Sequence, residues 1–151
     1  MGNCNGRALA EKAKANVIQV LMPSYVAETR KYLPHTPVVW IPNVVEPVCL
    51  EKQAHPSAVK DRYRIITVGR IDGLQKQTHI LVKAFASLAQ QYSQWDVWIW
   101  GEVKKTDYYQ RLCQFIEEQG LTGRVHLAGT TPAIQDELCQ ADIFAFPSAF
   151  E

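Results

Sequence analysis

Two apolar periodicities alternate along the chain, and that alternation restricts the fold more than any other feature. Short β-rich runs occur at Val17–Leu21, Val38–Ile41, Ile65–Val68, Val97–Trp100, Val125–Leu127 and Ile143–Phe146. Several are apolar on both faces, as central strands of a covered parallel sheet must be. Between them the spacing becomes helical. Leu81, Phe85, Leu88 and Tyr92 form one stripe, Tyr108, Leu112, Phe115 and Gln119 a second that Ile116 widens, and Ile134, Leu138 and Ala141 a third. Thr78, Thr106 and Thr131 stand where helix caps are expected, Pro132 suits a first helical position, and Gly120-Leu121 reads as a helix stop. The pattern predicts an α/β fold: a parallel sheet with flanking helices, built from successive strand–helix–strand units.

Residues 47–62 break this texture with Pro47, Pro56 and no periodicity, so they read as a linker. Before it, two helices and one strand pair are too little to close a core. Residues 1–46 are therefore expected to be the tail of a preceding domain, and residues 63–151 an incomplete second one. The chain stops in a loop just beyond a strand, at the face where an open parallel sheet binds its ligand. It is expected to be cut at the site.

Composition narrows the function. Sixteen Lys and Arg against fifteen Asp and Glu leave a net charge of +1, with none of the basic excess that nucleic acid demands. No apolar run approaches a membrane span, and no signal peptide is evident at the N-terminus. Gly2 would permit myristoylation, but Gly6 stands where Ser or Thr is expected. Cys4, Cys49, Cys113 and Cys139 are dispersed, as are His35, His55, His79 and His126, so no metal site is expected. Scattered single cysteines read as reduced thiols of a cytoplasmic protein.

The residues with chemical promise cluster at strand ends. Gly69 and Arg70 follow the third strand, and Lys76 lies just before the helix that begins near Thr78. A glycine lets backbone approach a ligand, a helix start offers N–H groups to an anion, and the two cations suit a diphosphate. The bland alternative, two solvated cations on a surface loop, stands about level with this reading. Gly101 and Gly129-Thr130 follow the next two strands on the same face, where turn glycines and a helix cap explain them as simply. Trp95, Trp98 and Trp100 read as sheet packing rather than a sugar platform. Neither a phosphate-cradling G-x-x-x-x-G-K-S/T loop nor a dinucleotide G-x-G-x-x-G motif is present.

These residues resemble a known family. Gly69-Arg70-Ile71, Lys76 and Leu81-Val82-Lys83-Ala84-Phe85 look like the opening of the donor domain of retaining GT-B glycosyltransferases, and the resemblance spans nearly the whole chain. It continues through Trp98-Ile99-Trp100-Gly101, Arg124-Val125, Leu127-Ala128-Gly129, Ala141-Asp142-Ile143-Phe144 and Pro147-Ser148-Ala149-Phe150-Glu151. Upstream, Ala15-Asn16-Val17-Ile18 and Ile41-Pro42-Asn43 look like the passage out of the acceptor domain. The resemblance implies a Rossmann-like partial GT-B fold that takes a nucleotide-diphosphate sugar as donor substrate, with no cofactor and no metal. It implies transfer with retention to a glycan, lipid-linked or other hydroxyl acceptor in polysaccharide or glycoconjugate synthesis. Arg70 and Lys76 match the diphosphate-binding cations, the loop after Gly129 passes the nucleobase, and Glu151 matches the first Glu of a Glu-x7-Glu pair beside the donor sugar. A Gly directly after Glu151 and a second Glu eight positions beyond it are expected in the parent sequence. Gln77, Val44 and Glu102-Val103 depart from positions where the family often carries glycine. The protein is expected to be cytoplasmic, with association at the inner face of a membrane left open. A GT-B sugar-nucleotide epimerase and a non-catalytic α/β binding module are the rival readings.

Overall fold

The computed structural model describes residues 10–45, 47, 59–104 and 106–150. The chain divides into two compact units, residues 1–47 and 48–151. Glu151, Cys4, Cys49, His55 and most of the expected linker and first helix lie outside the described residues.

The first unit contains β1 (Ile18–Val20), α1 (Ser24–Tyr32) and β2 (Val38–Trp40). The two strands pair in parallel, with Ile18 opposite Val38. Side chains extend the pairing past the strand ends: Gln19 Nε2 donates to the Ile41 carbonyl at 3.0 Å and Trp40 Nε1 to that of Leu21 at 3.1 Å. Val20, Leu33 and Val38 are buried, while Tyr25, Tyr32, Trp40 and Ile41 are each at least half exposed.

The second unit runs β3 (Tyr63–Val68), α2 (Thr78–Leu88), β4 (Trp95–Trp100), α3 (Asp107–Glu118), β5 (Val125–Gly129), α4 (Ile134–Cys139) and β6 (Ile143–Phe144). Its sheet is wholly parallel, in the order β5-β4-β3-β6. Chain order thus reverses at β3: β4 and β5 grow to one side and β6 lies on the other. Val97, Ile99 and Val125 point into the face covered by α2 and α3, and pack with Val82, Phe85, Leu112 and Ile116. The α2 stripe that packs is Val82, Phe85 and Ala89; Leu88 and Tyr92, expected on it, are 47% and 41% exposed. The opposite face carries Arg64, Trp98 and His126. The guanidinium of Arg64 sits 4.6 Å over the Trp98 ring, which stacks on His126 at 4.1 Å. Arg64 also reaches Glu137 and Gln140 of the α4 region, so the β5–β6 crossover runs over this second face. Trp98 and Trp100 are therefore sheet-packing side chains, as expected.

The punctuation explains α3 best. Thr106 caps it, its hydroxyl accepting the Tyr109 N–H at 3.3 Å, and Asp107 complements the positive end of the helix dipole. Gly120 ends it at φ 63°, with Gly120 N–H on Glu117 O and Leu121 N–H on Ile116 O, both 2.9 Å. Two expected caps differ. Thr78 is the first residue of α2, behind a left-handed Gln77 at φ 46°, and its side chain is buried rather than capping. Thr131 accepts from Ala133 N–H, so Pro132 occupies a turn and α4 starts at Ile134.

At the amino ends of the strands one carboxylate ties three of them together. Asp96 on β4 accepts both arms of Arg62, which precedes β3, and Arg124 Nε beside β5 at 3.2 Å. Arg124 also donates to the carbonyls of Tyr92, Trp95 and Ala89, where α2 has ended. β6 is held similarly: Asp142 accepts the Arg64 N–H at 2.8 Å and Lys60 Nζ at 2.6 Å. At the carboxyl ends the strands meet through glycine. Gly69 N–H donates to Trp100 O at 2.8 Å and Gly101 N–H to Gly129 O at 2.7 Å. A Cβ on Gly101 would lie 1.8 Å from the Gly69 carbonyl oxygen, so the two backbones touch.

Burial opposes ionisation of Asp96, but the Arg62 hydrogen bond and the Arg62 and Arg124 charges hold its carboxyl below the usual range. Burial pushes His126 below 6.5. Both groups bind protons more readily once unfolded. Stability is therefore present above their unfolded pKa values and lost as pH falls. Asp96→Asn should cost about 1.5–3 kcal/mol at pH 7, and the deficit should shrink below about pH 4. Urea titrations between pH 3 and 8 check this, and His126→Gln should flatten the loss below pH 6.5. Gly101→Ala should cost more than about 3 kcal/mol, because the new Cβ would meet backbone rather than a movable side chain. Gly120→Ala, with nothing within 4 Å of the new Cβ, should cost only about 1–2 kcal/mol of left-handed strain. Parallel thermal melts distinguish the two.

Candidate functional site

The carboxyl edge of the sheet brings Gly69, Gly101 and Gly129 side by side, so the three strand-end glycines form one floor. The loop between β3 and α2 rises from it. Its organiser is Asp72, whose Oδ1 accepts the N–H groups of Leu74, Gln75 and Lys76 at 3.2, 2.8 and 2.9 Å. Burial disfavours the charge. The three N–H groups and the Arg70 guanidinium outweigh it and keep the carboxyl below the ordinary carboxylate range. The Asp72 carbonyl takes the Thr78 N–H at 3.3 Å. Asp72 belongs to no motif in the sequence. The Asp-Gly turn signal at Asp72-Gly73 was its visible trace.

The start of α2 does not offer free donors, contrary to expectation. Thr78 N–H is spent on Asp72, His79 N–H on the Tyr108 hydroxyl at 2.9 Å, and Ile80 N–H on Gln77 O at 2.8 Å. A short tight loop that feeds a left-handed residue into a helix satisfies its own orphan N–H groups. An anion here meets six N–H groups between residues 74 and 80 that are already engaged, so side chains carry more of its binding.

Those side chains diverge around Gly69. The Lys76 stem crosses Gly69, where a Cβ would meet it at 3.3 Å, and Nζ lies 4.9 Å from the Phe146 ring beyond β6. The strand exit of β6 is docked to the same loop, Ala149 N–H donating to Gln75 O at 2.8 Å. Arg70 is mostly exposed; it donates to Gln75 Oε1 at 2.8 Å and lies 4.0 Å from Asp72. It faces a cavity of about 770 Å³ between the β3–α2 and β4–α3 loops, which Lys76, Gly129 and Thr130 do not line. Thr130 is exposed beyond β5. His79 and Tyr108 meet edge to face at 5.8 Å. Among the described residues no group of three His, Cys, Asp or Glu gathers, and no helix is long and apolar enough to cross a membrane.

Lys76 and the segment after β6 thus meet between β3 and β6, where the strand order reverses. In open parallel sheets this switch point is the ligand crevice.

The chain is similar to proteins of known structure. TarM from S. aureus, as a variant in complex with fondaparinux, α-GlcNAc-glycerol and UDP, matches with TM-score 0.70 at 18% identity, over 94% of this chain and 27% of that one. HepE from Anabaena, in complex with UDP and glucose, matches with TM-score 0.60 at 19% identity, over 94% and 50%. WaaG, a glycosyltransferase involved in lipopolysaccharide biosynthesis, matches with TM-score 0.65 at 16% identity, over 96% and 44%. The chain therefore spans at most half the length of these structures, and the likeness is one of fold. No curated protein matches it. The family profile of the glycosyl transferases group 1 matches residues 62–151. With more than half of its residues matched and the α/β fold of GT-B enzymes, the chain belongs to the glycosyl transferases group 1 family.

Proposed function

We propose that residues 63–151 form part of the nucleotide-sugar donor site of a retaining glycosyltransferase, with residues 1–46 the tail of its acceptor domain and 47–62 the link. The observation that carries this reading is the switch point between β3 and β6, where Lys76 lies against the strand exit and Arg70 rises from the same pinned loop. Because six backbone N–H groups between residues 74 and 80 are already engaged, the diphosphate is held mainly by these two side chains, over the glycine floor. The loop after Gly129 passes the base, and Glu151 lies beside the sugar.

In the proposed reaction the bond from the anomeric carbon to the diphosphate breaks, and a bond to an acceptor hydroxyl forms on the same face. The hydroxyl proton leaves with the departing diphosphate. Fixed cations stabilise the charge that develops there, with no cofactor and no metal. UDP is the first donor base to test, because two structural neighbours hold UDP. The acceptor is a glycan, lipid-linked or other hydroxyl compound of glycoconjugate synthesis, a reading that the involvement of WaaG in lipopolysaccharide biosynthesis supports.

Calorimetric titration with UDP, GDP and ADP tests this. Each cation supplies charge-assisted hydrogen bonds of about 1.5–3 kcal/mol. Arg70→Ala and Lys76→Ala should therefore each weaken binding about tenfold or more. EDTA should leave affinity unchanged. Unaltered affinity in both variants removes these residues from the site.

A further inference from the structure

The cavity on the other side of Arg70 is separate from the switch point. It lies above the groove between α2 and α3 on the face away from α4, and its volume of about 770 Å³ is that of a small-molecule site. Its walls are mostly hydrocarbon. Ile71 and Leu112 are buried in the floor, Phe115 is half-buried, and Leu74 stands 84% exposed at the rim.

Its charges are unevenly satisfied. Both carboxylates are occupied: Asp72 holds three backbone N–H groups, and Glu102 lies 3.6 Å from Lys104 Nζ. Lys83 from α2 and Arg111 from α3 line the same cavity, and neither has a hydrogen-bond or ion-pair partner among the described residues. The two hydroxyls are also spoken for. The Tyr108 hydroxyl serves His79 N–H and Thr78, and Thr106 Oγ1 caps α3. What remains for a ligand is unpaired positive charge and apolar surface, with little to read the polar edge of a base.

The shape is preformed. Asp72 pins the loop from within, and Gly73 sits so close to Tyr108 that a Cβ would lie 2.7 Å from its ring. We infer that this groove binds a small anionic amphiphile, a phosphate or carboxylate head between Lys83 and Arg111 with an apolar body over Leu112, Phe115 and Leu74. The charge complementarity selects the head and the hydrocarbon walls select the body.

Octyl phosphate, kept below its micelle concentration, is the probe, with inorganic phosphate and octanol as its separated halves. Titration of the full chain should give one saturable site for octyl phosphate. Each half should bind at least about tenfold more weakly, since both head and body contribute. Amide NMR shifts should centre on residues 70–74 and 102–115. Lys83→Ala/Arg111→Ala should weaken octyl phosphate at least about tenfold and leave UDP binding unchanged, and Leu74→Glu should weaken it at least as much. Leu74 is exposed enough that this second variant tests the site without touching the core. Four results would each overturn the assignment: equal affinity in these variants, shifts centred elsewhere, competition with UDP, or binding to phosphatidylglycerol vesicles without binding of monomeric octyl phosphate.

Discussion

Two carboxylates at opposite ends of one sheet do the organising. Asp96 gathers Arg62, Arg124 and, through Arg124, the carbonyls that follow α2, so three strands and a helix end share one anchor at the amino edge. Asp72 does the converse at the carboxyl edge: it gathers successive backbone N–H groups and closes a loop on itself. The first sets strand register without reference to any ligand. The second uses up the donors that an anion would otherwise take. In the proposed donor site, binding is thereby shifted from backbone toward side chains, Arg70 and Lys76 before the helix start behind them.

The sheet order adds direction. With β6 placed beside β3 rather than beyond β5, the exits of β3 and β6 diverge, and a crevice opens where their loops part. Lys76 faces that crevice, and the mostly exposed Arg70 stands at the boundary between it and the groove over α2 and α3. The one loop thus borders two concavities, one bounded by the strand exit near Phe146 and the other by Tyr108 and Phe115.

Period and punctuation made the strands legible, since runs such as Ile65–Val68 and Val97–Trp100 need both faces covered. They did not settle which stripe of α2 packs. Phe85 belongs to two overlapping stripes, and the one through Val82 and Ala89 wins because its smaller side chains let the helix approach the sheet. Thr78 has the residue type and place of a cap, yet a left-handed Gln77 and the Asp72 carbonyl perform that task, and neither leaves a local pattern. The strand-end glycines and the two cations were visible as residue types at fixed offsets. Asp72 was not, because its partners are backbone groups that converge only in three dimensions. Lys83 and Arg111, on different helices, had no sequence signature at all.

The contact between Gly69 and Gly101 places unequal limits on sequence drift. The loop above them is held by the Asp72 carboxylate, so its exposed side chains can be exchanged and a new ligand preference acquired. The floor has no such freedom, because any side chain at Gly101 would occupy the space of its neighbour's carbonyl. Descendants of this chain can therefore diversify what they bind by rewriting Arg70, Leu74, Gln75 and Lys76, while inheriting Asp72 and the glycine beneath it unaltered.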